Sequence, residues 1–290
     1  MVTKMSTLLL RLAAPMQSWD TESKYNRRST NKEPSKSGVI GLLAAALGIL
    51  RNDPLNELEK LCQLRFGIRV EQEGNLLVDY QNAIGPFFKK EGKENYQFSL
   101  SEDGSCIIKY CPEKQITTVQ TWRHYLSDAV FLVGLEGKRS KLEELEFSVN
   151  HPVFPLFLGR RSCPPMPPVD LGIRDCDLPT ALRDEPWHAL DWYQKKWLKN
   201  NNRNDLVLRV HYEPKEDDSD VPRAIQRDLP ISFDQSHRRY GYRGYTVMSV
   251  RGVRIIFENT AETDENMLEE ELNRDPDTPE DHDPMKELEE

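Results

Sequence analysis

Phosphates are bound by arginine and lysine, and unpaired bases stack on flat aromatic or guanidinium surfaces. Three stretches of this 290-residue chain combine the two residue types. Met16-Gln17-Ser18-Trp19 is followed by Lys24, Tyr25, Arg27 and Arg28. Trp122-Arg123-His124-Tyr125 forms the second group. The third is Gly159-Arg160-Arg161-Ser162, where a glycine lets the backbone approach a phosphate and paired arginines offer bidentate donors. Lys36-Ser37-Gly38, at a predicted helix N-terminus, adds backbone amides suited to an anion. A plainer reading stands beside each. Trp19 and Trp122 also fit core positions, and Arg160 and Arg161 also fit an interface or solvent. Arg238-Arg239-Tyr240 with Arg243 suits a protein contact equally well.

Other chemistries find less support. The sequence contains no G-x-S-x-G, H-E-x-x-H or G-x-x-x-x-G-K-[ST]. Cys106 and Cys111 lie five apart, and Cys163 and Cys176 lie thirteen apart. Zinc sites use closer pairs, so reduced thiols and no metal are expected. A metal-independent ribonuclease needs a general base beside the 2′-hydroxyl. His124 is the candidate, although a solvated or backbone-bonded histidine is the commoner outcome.

The net charge of −9 conceals its distribution. Residues 258–290 hold 15 acidic and 2 basic side chains, leaving 33 acidic and 37 basic in the rest. The body is therefore mildly basic, which suits a polyanionic partner. The acidic stretch has almost no apolar residues with which to offset its ordering entropy, so disorder is expected there. No apolar run reaches the roughly 18 residues of a membrane span. Met1–Lys4 lacks the layout of a secretory signal. The expected setting is cytoplasmic, with reduced cysteines, no cofactor and no membrane contact.

These groups need elements to position them. Thr7–Leu12 and Ala129–Leu135 read as buried strands, and Arg65–Val70 as a half-buried one. Ala13–Ser37 reads as a long polar loop, and long loops in compact domains are often functional. Val39–Leu50 reads as a helix with Ser37 as N-cap and Gly48 near its end. Ser140–Phe147 has helical character, while Pro152–Pro168, with six prolines, must be irregular. Leu206–Tyr212 and Tyr245–Ile256 are further strand-like runs. A β-hairpin is expected to project from 85–118. Strands broken by two helices in β-α-β-β-α-β order predict an α+β, ferredoxin-like sheet, the framework of RNA-recognition domains. One domain would cover 1–257, followed by the acidic tail at 258–290.

In this order, several stretches resemble the CasD family of the RAMP superfamily, the type I-E Cascade subunit that holds the CRISPR RNA 5′ handle. They are Leu10–Trp19, Ser37–Ile49, Gln120–Ala129 and Leu158–Pro164, with a looser match from Arg227-Asp228 to Arg238-Arg239. The resemblance implies a ferredoxin-like fold with a β-hairpin thumb. It also implies packing against the guide RNA, the Cascade large subunit and the backbone subunits, with target DNA met indirectly through the complex in antiviral defence. The implied role is non-catalytic, gripping the handle and capping the backbone filament. A type I-C sister group processes precursor RNA itself with Tyr, Lys and His. Here His124 stands where the type I-E pattern tolerates other residues, and no Lys-His pair occurs, which weighs against a repeat endonuclease. The acidic tail departs from the family core.

Overall fold

In a computed structural model of the chain, the strand predicted at Thr7–Leu12 is longer. β1 covers Met5–Ala13, and Leu8, Leu9, Leu10 and Leu12 are all fully buried. The structure describes residues 5–20, 26–51, 57–86, 98–100, 106–108, 116–215, 218, 223–234 and 238–255. A strand covered on both faces has no polar side to show, so its sequence reads as an unbroken apolar run.

The elements after β1 are β2 (Met16–Gln17), β3 (Arg27–Arg28), α1 (Lys36–Leu47), α2 (Glu57–Cys62), β4 (Arg65–Gln72) and β5 (Asn75–Pro86). Next come β6 (Phe98–Leu100), β7 (Cys106–Ile108), β8 (Ile116–Ser127), β9 (Val130–Lys138), α3 (Arg139–Asn150) and β10 (Asp170–Arg174). The last are α4 (Leu178–Asp184), α5 (Asp191–Asn200), β11 (Val207–Tyr212), β12 (Ala224–Ser232) and β13 (Arg239–Arg251).

Seven strands form one antiparallel sheet in the order β10-β1-β9-β4-β11-β13-β12. The connection through α1 carries the chain from β1 to β4, with β9 between them. α3 carries it from β9 to β10, with β1 between them. β11 matches the strand-like run at Leu206–Tyr212 and β13 overlaps the one at Tyr245–Ile256, and with β12 they extend the sheet beyond β4. β12 escapes pattern recognition because Arg227, Asp228 and Pro230 interrupt it, which an edge strand tolerates. Leu8, Leu10 and Leu12 of β1 join Phe131, Val133 and Leu135 of β9 in a core with Val39, Ile40 and Leu43 of α1 and Leu142 and Leu145 of α3. α4 lies against the opposite face, where Leu178 and Leu182 sit over Gly134.

A second sheet holds β2 and β3 on either side of β8, which also pairs with β5. That β5–β8 ribbon runs from Asn75 opposite Ser127 to Pro86 opposite Ile116. Within the 85–118 span, β6 pairs with β7 from Phe98 opposite Ile108 to Leu100 opposite Cys106. The predicted loop at Ala13–Ser37 is thus interrupted by two short strands. Lys24, Tyr25, Cys111 and the acidic segment 258–290 lie outside the described residues.

The helix expected at Val39–Leu50 begins earlier. Ser35, rather than Ser37, is the N-cap, and its Oγ accepts from the Gly38 N–H at 3.2 Å. Asp228, from distant β12, takes the Lys36 N–H at 2.8 Å. The Lys36 ammonium donates to both carboxylate oxygens of Glu213 at 2.9 Å and to the Leu64 carbonyl at 2.9 Å. Arg243 closes the cluster with a bidentate contact to Asp228, at 2.6 and 2.9 Å. Lys36, Asp228 and Arg243 are buried, so these charges are held by one another away from water. On the other side of β4, buried Arg69 donates to the Leu182, Glu185 and Pro186 carbonyls and pairs with Glu71.

Among the described residues no helix is long and apolar enough to cross a membrane. Among them, too, no group of three or more His, Cys, Asp or Glu residues is placed to hold a metal ion. Cys62, Cys163 and Cys176 are free thiols, and burial pushes Cys62 up to about 11.

The buried cluster makes a direct prediction. Asp228→Ala leaves Arg243 without its bidentate partner and the Lys36 N–H without its acceptor. Breaking a buried ion pair from one side costs about 3–5 kcal/mol. Urea unfolding should show a loss of that size, and an unchanged midpoint would contradict it.

Candidate nucleic-acid interface

The basic-aromatic groups, far apart in sequence, meet where β3, β8 and the 158–163 turn adjoin. β3 runs parallel to β8, setting Arg27 beside Trp122 and Arg28 beside Arg123. The Asn26 carbonyl accepts from the Trp122 N–H at 2.9 Å, which fixes where this two-residue strand begins. The Arg27 guanidinium lies 5.5 Å from the Trp122 ring centre, and the Tyr80 ring, across the ribbon, lies 5.4 Å from it. Arg160 covers the Tyr125 ring at 4.6 Å and donates through Nη2 to the Arg28 and Ser29 carbonyls at 3.1 and 3.2 Å. Arg27, Arg28, Arg161, Gly159 and Ser162 are exposed around this centre, whereas Trp122, Arg123 and Arg160 are half-buried. Among the described residues, Arg123 Nε and Arg160 Nη1 are buried without a hydrogen-bond partner. Groups of that kind carry a desolvation cost that an added acceptor would relieve.

The 16–19 segment supports this surface from beneath. Met16 is half-buried against the core, and Gln17 and Trp19 are fully enclosed. Gln17 Nε2 donates to the Leu12 and Ala129 carbonyls at 3.1 and 2.7 Å, and its Oε1 accepts from Trp19 Nε1 at 3.0 Å. The Trp19 ring lies over Gly38 of α1, whose position has no room for a Cβ. The Trp19 N–H donates to Thr30 Oγ1 at 2.9 Å, and its carbonyl accepts from the Asn31 N–H at 2.9 Å, tying down the chain that leaves β3. Glu33 then fastens that chain to β11 through Arg209 and His211. Burial pushes the Glu33 carboxyl up, but His211 and Arg209 together outweigh it and hold the group below the usual carboxylate range.

The turn is fixed by the same segment. The Ser18 N–H donates to the Leu158 carbonyl at 3.2 Å, and the Leu158 N–H closes the turn onto the Cys163 carbonyl at 2.7 Å. Gly159, with φ +81°, presses its backbone against the Ser18 carbonyl oxygen, where a methyl group would overlap it. Burial raises the Cys163 thiol, the largest influence on it, which suits a packing role.

The predicted residues therefore separate by position. Arg27 and Trp122 share one face of the β5–β8 ribbon with Tyr80, while Arg28, Arg123 and Tyr125 alternate onto the other, where Arg160 and its turn neighbours Gly159, Arg161 and Ser162 adjoin. Met16, Gln17, Trp19 and Tyr125 lie beneath the arginines, packed into the interior. Lys36, Ser37 and Gly38 stand apart from them. The Lys36 and Gly38 amides are taken by Asp228 and Ser35, and the Lys36 charge is taken by Glu213. His124 Nδ1 lies 3.2 Å from the Arg28 carbonyl, the backbone-bonded outcome. Tyr80 was absent from the sequence reading. Its alternation with Leu76 and Val78 on an exposed strand was the available signal.

Comparisons with known proteins now bear on this arrangement. The family described as CRISPR-associated protein (Cas_Cas5) matches residues 7–245. The chain belongs to that family of CRISPR-associated proteins. It is 37% identical over 195 residues to the Escherichia coli (strain K12) protein named CRISPR system Cascade subunit CasD, covering 65% of this chain and 77% of that one. A chain of a solved CRISPR RNA-guided surveillance complex aligns with a TM-score of 0.61 and 28% identity, covering 90% of this chain and 98% of its own. A solved structure described as a Cas protein gives a TM-score of 0.57 at 30% identity, covering 86% and 97%. Every residue of the arginine-lined surface falls inside the part of the chain matched to this CRISPR-associated family.

Gly159→Ala tests the seating of the turn. The left-handed backbone and the Ser18 contact both oppose a side chain, so a loss of more than about 1 kcal/mol is expected. That corresponds to a fall in Tm of about 2–4 °C or more for a domain of this size. An unchanged melting temperature would mean the turn is not clamped against Ser18.

Proposed function

We propose that this chain is a non-catalytic, RNA-binding subunit of a type I-E CRISPR surveillance complex that grips the 5′ handle of the guide RNA. One observation carries the reading. Arg27 lies on Trp122 beside Tyr80, and Arg160 lies on Tyr125 and bonds the Arg28 carbonyl, so β3, β8 and the 158–163 turn bring Arg27, Arg28, Arg123, Arg160 and Arg161 from separate parts of the chain to the β3 edge of the ribbon. Guanidinium groups match phosphates bidentately, and the aromatic rings offer stacking surfaces to unpaired bases, so this surface suits a single-stranded RNA end. The name of the Escherichia coli relative, a Cascade subunit, supports placement in such an assembly.

The same reading extends to the fold. Strand order β10-β1-β9-β4, with helical connections through α1 and α3, supports a ferredoxin-like core in β-α-β-β-α-β order. The β5–β8 ribbon and the β6–β7 pair support a thumb that reaches toward a neighbouring backbone subunit. In this account the large subunit and the backbone subunits are the protein partners, the chain caps the backbone filament, and target DNA is met only through the complex.

The test uses the full chain and end-labelled CRISPR repeat RNA in chelator, followed by gel shift and strand integrity. Each lost charge-assisted contact costs about 1.5–3 kcal/mol, so replacing Arg27, Arg28 and Arg161 together with alanine should weaken binding by at least about 100-fold. Unchanged affinity would remove the handle from this surface. Specific cleavage lost on His124→Ala would replace the reading with a metal-independent repeat endonuclease.

A further inference from the structure

Helix α5 carries a second surface that the arginine cluster does not account for. Its inner side is well anchored. Trp187 is buried, donates through Nε1 to the Glu71 carbonyl at 2.8 Å, and receives the edges of Tyr193 and Trp197 at 6.1 and 5.7 Å. Buried Gln194 donates to the Trp187 and Ala189 carbonyls at 3.1 and 2.8 Å. The helix is thus held in one orientation, and what it turns outward is fixed.

That outward side is Trp192, Lys195, Lys196 and Lys199, spaced i, i+3, i+4 and i+7, all exposed. At 1.5 Å per residue the stripe is about 10 Å long. Among the described residues none of the three lysines is paired with a carboxylate. Trp192 keeps 51% of its surface in water, and among the described residues its one ring contact is edge-on to Tyr193 at 5.7 Å. A merely solvated helix face has use for the lysines but none for an exposed indole. A lysine row with a flat ring at one end has the two parts that track a nucleic-acid backbone and stack a base.

We infer that the Trp192–Lys199 face of α5 is a second binding site for an unpaired nucleic-acid strand, separate from the arginine-lined surface. Lysines on a flexible stem act as point charges on phosphates, without the bidentate geometry that selects a fixed end. Base stacking on a ring is likewise indifferent to base identity. The site therefore takes a run of unpaired RNA without sequence preference, the guide beyond its handle, an assignment that rests on the proposed function.

The experiment uses the full chain in the Arg27, Arg28 and Arg161 alanine background, so that the first surface does not mask the second. Fluorescently labelled 15-nucleotide poly-U RNA and poly-dT DNA are the probes, read by anisotropy and by quenching of tryptophan emission. Trp192→Ala should weaken binding about fivefold or more, and glutamine at 195, 196 and 199 about tenfold or more. Trp192→Phe, which keeps a ring, should retain most of the affinity while losing the quenching. Weakening with RNA, whether or not DNA follows, supports the guide as occupant, and weakening with DNA alone overturns it. The proposal is overturned if neither probe binds, if the variants bind as before, or if poly-glutamate quenches Trp192 where the nucleic acids do not. The last result would make the face a contact for an acidic protein. The replaced side chains are exposed, and a melting temperature equal to the parent's keeps each comparison clean.

Discussion

Gln17 is fully buried, and its carboxamide joins three parts of the chain at once: the end of β1 at Leu12, Ala129 just before β9 and the indole of Trp19. A buried amide left with an unmet donor or acceptor costs about 1–3 kcal/mol, more than a hydrogen bond's net gain, so this arrangement is strongly determined. Trp19 in turn lies over Gly38 and bonds the chain leaving β3 at Thr30 and Asn31. From that one anchor follow the line of β3 beside β8, the contact of Ser18 with the Leu158 turn, and the closeness of Arg160 to the Arg28 carbonyl. The interior of the 16–19 segment fixes the arginines on which the proposed RNA contact rests.

Charge is divided along the same lines. Lys36, Arg69 and Arg243 are buried and spend their donors on Glu213, Glu71, Asp228 and backbone carbonyls. Pairs of this kind hold elements in register at little net gain in stability, because desolvation offsets attraction. They lock α1 to β12 and α4 to β4, and they leave nothing for a ligand. Arg27, Arg28 and Arg161 are exposed, and the buried nitrogens of Arg123 and Arg160 have no partner among the described residues. Basic residues here thus divide into those whose charge a carboxylate already holds and those with no carboxylate partner among the described residues.

That distinction sets how much the sequence could tell. β1, β9 and α1 were legible because continuous apolar runs have few other destinations, and Gly159-Arg160-Arg161 stood out by residue type. The N-cap was misplaced by two residues because Ser35 and Ser37 carry the same hydroxyl, and Asp228, which completes the helix start, lies 192 residues away in sequence from Lys36. Lys36 and Trp19 looked like binding residues for the same reason: local spacing does not show what a distant strand contributes. β3, two residues long, was invisible because its existence depends on β8 rather than on its own composition. The exposed side of α5 was missed because Trp192 lies close to the residues that bury the other face, and only the fold shows which tryptophan is left outside.

The central claim is that the β3, β8 and 158–163 surface touches the guide's 5′ end inside the assembled complex. The most direct measurement places 4-thiouridine at single handle positions, assembles the complex, irradiates it and maps the crosslinked peptides by mass spectrometry. The account predicts crosslinks in peptides containing Arg27-Arg28, Trp122-Arg123 and Arg160-Arg161. Handle crosslinks confined to other parts of the chain, or to other subunits alone, would contradict it.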